Sequence, residues 1–397
     1  MKNFIFKHLI IFFLVISVYS CKEKKKEKPN ILFIFADDQT YNTIHALGNE
    51  EIQTPNLDKM VHDGTVFTHA YNMGAWHGAV CVASRTMLVT GQYVWHARES
   101  EPHLDSLSDL NHLWSQLLQE QGYDTYFSGK WHVNIHPDSV FNFTRHIRPG
   151  MPETVSEAYD RPIKGEKPQW SPYDKSIGGY WKGGKHWSEV LGDDAQDYLQ
   201  QAAIDEDPFF MYLAFNAPHD PRQSPKKYVD MYSQEEIKVP ENFIPEYPYK
   251  EEIGCGEKLR DERLAPFPRT KYAVRTHRSE YYAIISHMDR QIGRILKALK
   301  KSGNADNTYI FFTADHGLAC GHHGLMGKQN MYDHSMRPPL LVIGPDIPKD
   351  KKLDMNVYLQ DIMPTTLNLA GMEKPEYVEF NSLMPYIKEE SKESAYE

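Results

Sequence analysis

The sequence predicts an α/β protein built on a mostly parallel central sheet. Three observations support this prediction: apolar runs of strand length alternate with helical patterns, the runs are continuously apolar, and several end abruptly in polar residues. Continuously apolar strands are typical of parallel sheets that are buried on both faces. Ligands bind beyond the carboxyl ends of such strands, so we expect the polar residues there to converge.

The predicted elements follow one another in regular order. The first strand is residues 30–36, because this run is apolar throughout and stops at two aspartates. A helix is predicted over 55–63, with Thr54 as its N-cap and Gly64 at its end. The clearest helix is 280–301, where apolar residues are spaced by three and four. The remaining predictions are strands at 65–71, 123–128, 208–215, 308–313 and 340–343, a helix beginning near Cys81, and helices at 109–120, 186–204 and 361–370.

Four of the predicted strands lead directly into polar clusters. The first is followed by Asp37 and Asp38, and the strand at 308–313 by Asp315 and His316. The other two clusters are GKWH at residues 129–132 and APHDP at residues 217–221. We therefore expect one functional site at this edge of the sheet.

The N-terminus has the features of an export signal. Lys2 and Lys7 precede an apolar run, residues 9–18, that is too short to span a bilayer. We expect residues 1–20 to be a signal peptide and Cys21 to be acylated in a lipoprotein. The protein would then be exported and lipid-anchored to the cell membrane or outer membrane, facing the periplasm or cell surface. The alternative is a simple secretory signal with an incidental cysteine.

Behind the signal we predict one large domain. Residues 21–28 read as a charged tether, 29–388 as a single catalytic domain and 389–397 as a charged tail. Two stretches, 133–185 and 220–277, break the alternation of strands and helices and are predicted to shape the substrate site. Trp170 and Trp181, in the first stretch, are candidates for stacking on a sugar ring.

Composition narrows the class of partner and the redox chemistry. Lysine and arginine number 44 against 54 aspartates and glutamates, for a formal net charge of -10, which argues against a nucleic-acid partner. Of the four cysteines, Cys21 is assigned to lipidation and Cys81 to a motif. Cys255 and Cys320 remain as a candidate disulfide in an exported protein.

Taken together, the motifs resemble those of the formylglycine-dependent (type I) sulfatases of the alkaline-phosphatase-like superfamily. The resemblance covers about residues 29–388 and implies a three-layer α/β sandwich. Members normally continue into a small antiparallel C-terminal subdomain, which we expect to be short or missing here. The matching segments, in chain order, are NILFIFADDQ, TPNLDKM, CVASRTMLVTG, GKWH, APHDP and FTADHGLACGHHGLMGKQNMYDHSMRPPLLV.

The resemblance implies a metal site made of Asp37, Asp38, Asp315 and His316, with the residue at position 81 beside it. Mainly oxygen ligands suit a hard cation, Ca²⁺ or else Mg²⁺, better than zinc. The alternative is that the aspartates merely end a strand or cap a helix.

By the same resemblance a formylglycine-forming maturation enzyme oxidises Cys81 to formylglycine. One hydroxyl of the hydrated aldehyde attacks sulfur, and the other later expels sulfate. The motif C-x-A-x-R has Ala83 where proline is usual in the family. The alternative is a small buried cysteine at the start of a helix.

The resemblance also assigns roles to five further residues. Arg85 holds the modified residue or neutralises the metal carboxylates, and Lys130 adds a second fixed positive charge. His132 assists removal of the diol proton, while His219 and Lys328 bind the bridging side of the sulfate and protonate the leaving alcohol. Such acid–base help contributes roughly 10² to 10⁴ in rate.

The expected function is sulfate release from sulfated carbohydrates, among them ulvan-type and other polysaccharide-derived oligosaccharides. The alternatives are a phosphate or phosphonate ester hydrolase of the same superfamily and a non-catalytic glycan-binding lipoprotein. Candidate contacts to sugar hydroxyls or a neighbouring carboxylate are His77, His96 and His323, with Arg98 and His322 beside them.

Overall fold

The computed structural model describes residues 28–396, except 149, 152–153, 177–179 and 206. The predicted signal peptide 1–20 and the lipidation site Cys21 lie outside the described residues. Among the described residues, no helix is long and apolar enough to cross a membrane.

Strands and helices alternate through most of the described chain, as the apolar pattern predicts. The strands are β1 (Asn30–Ala36), β2 (Thr65–Tyr71), β3 (Asp124–Lys130), β4 (Phe143–Arg148), β5 (Trp181–Lys182), β6 (Lys185–His186), β7 (Phe209–Ala214), β8 (Thr308–Ala314), β9 (Leu340–Ile343) and β10 (Lys351–Tyr358). The helices are α1 (Pro55–Asp63), α2 (Val80–Thr90), α3 (Val94–Ser100), α4 (Leu104–Asp109), α5 (Trp114–Glu120), α6 (Trp187–Ala202), α7 (Lys226–Val229), α8 (Lys271–Ser302), α9 (Asp333–Met336), α10 (Ile362–Leu369) and α11 (Met384–Ile387).

Eight strands form one mixed sheet in the order β10-β2-β9-β8-β1-β7-β3-β4. Strand β1 lies between β8 and β7 and is parallel to both. Only β9 runs against its neighbours, pairing antiparallel with β2 and β8. The prediction of a mostly parallel sheet is therefore confirmed.

Helices cover both faces of the sheet, which gives three layers. Side chains that alternate along β1 reach opposite faces. Phe33 packs with Trp114 of α5 in one core, whereas Ile34 shares the other core with Ile292 of α8. All seven residues of β1 are buried, which explains why the six residues from Ile31 to Ala36 are all apolar.

Two predictions of local structure differ from the structure. The helix predicted at 109–120 begins only at Trp114, as α5, because Asp109 ends α4 and Asn111, with a φ of 58°, interrupts the helical path between them. The stretch 133–185, predicted to break the alternation of strands and helices, contains β4 at the edge of the sheet and the β5–β6 hairpin.

The predicted Cys255–Cys320 disulfide is wrong, because both residues are buried free thiols. Cys320 packs beside Tyr281 of α8, whereas Cys255 packs with Ala319 and Leu325 in a separate cluster. The Cys255 thiol donates to the carbonyl oxygen of Gln329 at 3.2 Å. The two side chains therefore belong to different parts of the core.

Candidate active site

The polar clusters meet at the carboxyl edge of four neighbouring strands. In the sheet order β8, β1, β7 and β3 are consecutive, and each leads into one predicted cluster. Helix α2 approaches the same edge with its first turn, where Cys81 is the second residue. The sheet topology thus assembles side chains that are far apart in the sequence.

Cys81 lies at the centre of this cluster and is buried. Its Sγ is 3.4 Å from Oδ1 of Asp37, 3.7 Å from Oδ1 of Asp38 and 3.6 Å from Nε2 of His316. The Nζ of Lys328 lies 3.3 Å from the same sulfur. The Cys81 side chain therefore contacts the two carboxylates that follow β1, together with His316 and Lys328, which follow β8.

Arg85 and Lys130 fix the carboxylates from behind. The Nε and Nη2 atoms of Arg85 both donate to Oδ2 of Asp315 at 3.1 Å, and its Nη1 donates to the carbonyl oxygen of Lys130 at 2.7 Å. The Nζ of Lys130 donates to Oδ2 of Asp37 at 2.5 Å. All four side chains are fully buried, so solvent barely screens these pairs.

Lys328 is the third cation of the cluster. Its Nζ donates to both carboxylate oxygens of Asp38, at 2.8 and 2.7 Å. Burial disfavours the ammonium, but Asp38 and Cys81 outweigh it and raise the pKa of Lys328 well above its usual range. Three buried carboxylates are thus matched by three buried cations.

Burial and neighbouring charges shift the pKa values of the acidic groups of the cluster in different directions. Burial raises the pKa of Asp37, and it raises the pKa of Asp38 to about 6. At Asp315 the effect of burial is outweighed, chiefly by Arg85, and the pKa lies well below its usual range. Burial, reinforced by Asp315, raises the pKa of the Cys81 thiol well above its ordinary value.

The donor set fits a hard divalent cation. The Nδ1 of His316 lies 2.7 Å from the carbonyl oxygen of Gly317 and must donate to it, so the neutral ring turns the lone pair of Nε2 into the cluster. The Nε2 atom lies 3.2 Å from Oδ1 of Asp38, so both atoms could ligate one cation between them. Ligand atoms of Asp38, Cys81, Asp315 and His316 all lie within 4.8 Å of one another.

His219 and His132 complete the predicted set. The Nδ1 of His219 lies 2.7 Å from the carbonyl oxygen of Asp220, and its Nε2 is 3.7 Å from Oδ2 of Asp38. Burial lowers the pKa of His219 well below its usual value. His132 follows β3, its Nδ1 is buried without a hydrogen-bond partner, and burial together with Lys130 lowers its pKa to about 3.

The predicted substrate contacts lie outside this cluster of ionic contacts. His77 accepts from the backbone N–H of Ala79, and His96 is exposed and pairs with Glu379 at 2.7 Å. The ring of His323 stacks on Tyr332 with ring centroids 4.3 Å apart.

The two tryptophans already have partners for stacking. Trp170 is buried beneath the guanidinium of Arg161, whose central carbon lies 3.8 Å from the ring centroid. Trp181 packs edge-on against His186, and the Lys175 ammonium lies 5.2 Å from the centroid of one of its rings.

Glu262 and Arg269 hold the loop that carries Lys328, and the sequence did not identify this pair. Glu262 is fully buried and accepts from the backbone N–H groups of Met326 and Gly327, each at 2.9 Å. Arg269 donates to Glu262 at 2.6 Å and to the carbonyl oxygen of Gly324 at 3.1 Å. The charged run RDER at 260–263 was the available signal, but nothing in the sequence shows that its glutamate is buried.

Comparisons with known proteins agree with this geometry. Residues 29–372 match the family model described as Sulfatase. An ulvan-active sulfatase of Formosa agariphila is 29% identical over 94% of this chain and 70% of that protein. An arylsulfatase of Clostridium perfringens is 32% identical over 91% of this chain and 79% of that protein.

Solved structures share the fold. The phosphonate monoester hydrolase of Silicibacter pomeroyi has a TM-score of 0.72 and 20% identity, with 91% of this chain and 77% of that chain covered. Such low identity shows a common fold and not a common reaction. Because the Sulfatase model spans most of the sequence and the arylsulfatase relative covers it equally well, the chain belongs to the sulfatase family of the alkaline-phosphatase-like superfamily and is a hydrolase of sulfate esters.

Proposed function

We propose that this enzyme releases inorganic sulfate from sulfated sugars derived from polysaccharides, using formylglycine made from Cys81 and one divalent cation, Ca²⁺ or Mg²⁺. The observation that carries the proposal is the position of the Cys81 sulfur, within 3.7 Å of two carboxylates, an imidazole and an ammonium. The relative from Formosa agariphila is named for its action on ulvan. Ulvan-type oligosaccharides are therefore the first substrates to test.

The ionisation of Cys81 supports modification rather than thiolate chemistry. A thiol whose pKa is raised well above its ordinary value is protonated at neutral pH and is a poor nucleophile. When formed, the hydrated formylglycine supplies one hydroxyl for attack on sulfur and a second that allows sulfate to leave. The N-terminal turn of α2 presents position 81 where its dipole favours negative charge.

Asp37, Asp38, Asp315 and His316 are the residues that would hold the cation. When bound, it would polarise the sulfate oxygens and lower the pKa of the attacking hydroxyl. The protein charges of the cluster are balanced, so a divalent ion would make the site net positive. A positive site favours an anionic ester over a neutral one.

Three residues near position 81 are candidates for orienting the substrate and for proton transfer. His132 is neutral at pH 7 and its Nδ1 is unpartnered, so it is free to accept a hydrogen bond from the attacking hydroxyl and orient it, while its pKa of about 3 makes it a weak base. Lys328 is protonated and its Nζ lies 3.3 Å from the sulfur of Cys81, so it is placed to stabilise the developing negative charge of the leaving oxygen and to protonate it once the more basic alkoxide forms. In the neutral His219 the proton lies on Nδ1, so Nε2 is placed to accept from a substrate hydroxyl group, and donation to the bridging oxygen of the ester would require the protonated ring.

The decisive experiment joins mass spectrometry with turnover. When the chain is coexpressed with a formylglycine-forming enzyme, the peptide containing Cys81 should carry an aldehyde in place of the thiol. Cys81→Ser should fold but lose multiple turnover, because a serine sulfate has no second hydroxyl to expel sulfate. Cys255→Ser, which changes a buried thiol in a different cluster, is the matched control and should keep turnover. Sulfate release by a protein whose Cys81 remains a thiol would refute the proposal.

Paired assays separate the proposal from its alternatives. Equal or faster hydrolysis of phosphate or phosphonate monoesters than of sulfate esters would identify a phosphoester hydrolase. Glycan binding without turnover by the fully modified protein would identify a binding protein. We further propose that the enzyme is exported and lipid-anchored through Cys21, which places it where extracellular polysaccharide fragments are encountered.

A further inference from the structure

A cavity of about 620 Å³ lies between the two inserted stretches and the first turns of α8. Its walls come from residues 156–172 of the first stretch, from Gln234 and Arg263 of the second, and from the α8 side chains between Tyr272 and Glu280. This volume is in the range of small-molecule binding pockets, roughly 300–1,000 Å³. The reactive cluster contributes no residue to this lining. We use this name for the side chains around position 81: Asp37, Asp38, Cys81, Arg85, Lys130, His132, His219, Asp315, His316 and Lys328.

A short series of contacts joins the cavity wall to the reactive cluster. The Nδ1 of His219 is bonded to the carbonyl oxygen of Asp220, whose carboxylate accepts from Nη1 of Arg260 at 2.9 Å. Arg260 also hydrogen-bonds Tyr159, which lines the cavity. The cavity wall is therefore linked to the His219 side of the cluster through Tyr159, Arg260 and Asp220.

Four carboxylates (Glu157, Asp160, Glu166, Glu280) and three cations (Arg161, Lys167, Arg263) line the cavity, so its net charge is small and negative. Arg161 forms a two-pronged ion pair with Glu280, at 2.7 and 2.6 Å, and Arg263 pairs with Asp160 at 3.1 Å. Guanidinium groups held in this way still present N–H donors beside carboxylate acceptors, but they carry little net field. Such a wall recognises hydroxyl groups better than a second sulfate or carboxylate.

Apolar and aromatic surface lies beside these polar groups. Tyr159, Tyr272 and the edge of Trp170 line the cavity, and Ile163 at its rim is 46% exposed. Aromatic rings with a polar tip and planar polar side chains together suit a sugar ring, which has C–H faces and a belt of hydroxyls.

We propose that this cavity is a subsite for an uncharged sugar unit of the same oligosaccharide whose sulfated unit occupies the reactive cluster. The proposal rests on the proposed function and extends it: the enzyme distinguishes oligosaccharides from single sulfated sugars through a contact remote from the reacting sulfur. Binding energy gained there would raise kcat/KM for longer substrates.

Two substitutions at one position test the subsite. Ile163→Trp should fill the mouth of the cavity, whereas Ile163→Ala, the matched control, leaves it open; equal melting temperatures establish that both fold. The probes are 4-nitrophenyl sulfate and a series of one to four sugar units sulfated only on the terminal unit. The series is built from the sugar from which the wild-type enzyme releases sulfate fastest.

The wild-type enzyme and Ile163→Ala should show kcat/KM rising by about tenfold or more from one to four units, which corresponds to a single good contact. Ile163→Trp should lose this rise and keep its rates on the single unit and on 4-nitrophenyl sulfate. A rise that persists in Ile163→Trp, or no rise in the wild type, would overturn the subsite.

Calorimetry with the unsulfated trisaccharide of the same series separates this proposal from the proposed function. The trisaccharide should bind the wild type and Ile163→Ala but not Ile163→Trp, whether or not the protein turns over. Equal binding to all three proteins, or none to the wild type, rejects the subsite. Absence of sulfate release from every ester would instead reject the proposed function; neutral di- and trisaccharides then serve as the calorimetric probes.

Discussion

Glu262→Gln should show how far the contacts of Glu262 stabilise the protein and how far they position Lys328 for catalysis. The carboxylate of Glu262 accepts from the backbone N–H groups of Met326 and Gly327 and from Nη2 of Arg269. These contacts fix the backbone directly before Lys328. Glutamine has one acceptor oxygen, so its amide N–H₂ must face at least one of the three donors.

The magnitude follows from burial and charge. A buried donor left without an acceptor costs about 1–3 kcal/mol. Arg269 stays buried without its counterion, and breaking such a pair costs about 3–5 kcal/mol. The two costs arise from the same carboxylate and overlap, so we expect a loss of about 3–5 kcal/mol in the free energy of unfolding. We also expect kcat to fall about 10- to 100-fold, because small displacements of a catalytic group are costly.

Urea unfolding and steady-state sulfate release measure the two effects separately. Glu257→Gln, an exposed change in the same stretch, is the matched control and should stay within about 0.5 kcal/mol of wild type. A change under about 1 kcal/mol in Glu262→Gln would refute the buried clamp. A destabilised variant that keeps wild-type kcat under conditions where it is fully folded would show that the clamp does not position Lys328.

Three further predictions concern the metal, the pH dependence and the anchor. Chelation should abolish sulfate release and lower the melting temperature, both restored by Ca²⁺ or Mg²⁺, because a bound ion stabilises only the folded state; no change in either quantity would reject the metal site. Burial and His322 lower the pKa of His334 to about 3 in the folded protein, against about 6.5 for an ordinary histidine. Its contribution to the free energy of unfolding is therefore complete above about pH 6.5 and falls with pH, by about 3 kcal/mol at pH 4.5. His334→Gln should weaken this dependence of the unfolding free energy on pH, and an unchanged dependence would contradict the role given to His334. Cys21→Ser should release the enzyme from membranes without changing its kinetics, and continued membrane attachment would exclude lipidation there.

The sequence predicted those parts of the site that local pattern encodes. A continuously apolar strand that stops at Asp37 identifies both a buried parallel strand and its functional end, because burial on both faces removes polar residues everywhere else. The same reasoning located Asp315 and the clusters after β3 and β7. The order β8-β1-β7-β3, which brings these ends together, is set by tertiary packing and was expected only as a general rule for such sheets.

The sequence was a poor guide where contacts join residues that are distant in the chain or where burial depends on the fold. Cys255 and Cys320 were paired by elimination, but their Cβ directions depend on loops that the sequence does not position. His96 is exposed and pairs with Glu379, 283 residues away, a contact that the sequence did not indicate; its contact with substrate stays a prediction. Glu262 escaped notice because a charged residue in a proline-rich stretch is ordinarily exposed, and only the fold shows that it is buried.

The charge balance of the cluster explains why the site needs support from the inserted stretches. Arg85 and Lys130 are held by α2 and β3, elements of the sandwich itself, and their carboxylate partners end neighbouring strands. Lys328 instead lies on an irregular loop after β8, yet its Nζ is 2.7 Å from Oδ2 of Asp38 and the residue is buried, at 4% exposure. A buried ammonium on a mobile loop would lose its counterion each time the loop moved, at a cost of several kcal/mol. The Glu262 clamp removes that freedom, so the second inserted stretch completes the charge balance that the sheet begins.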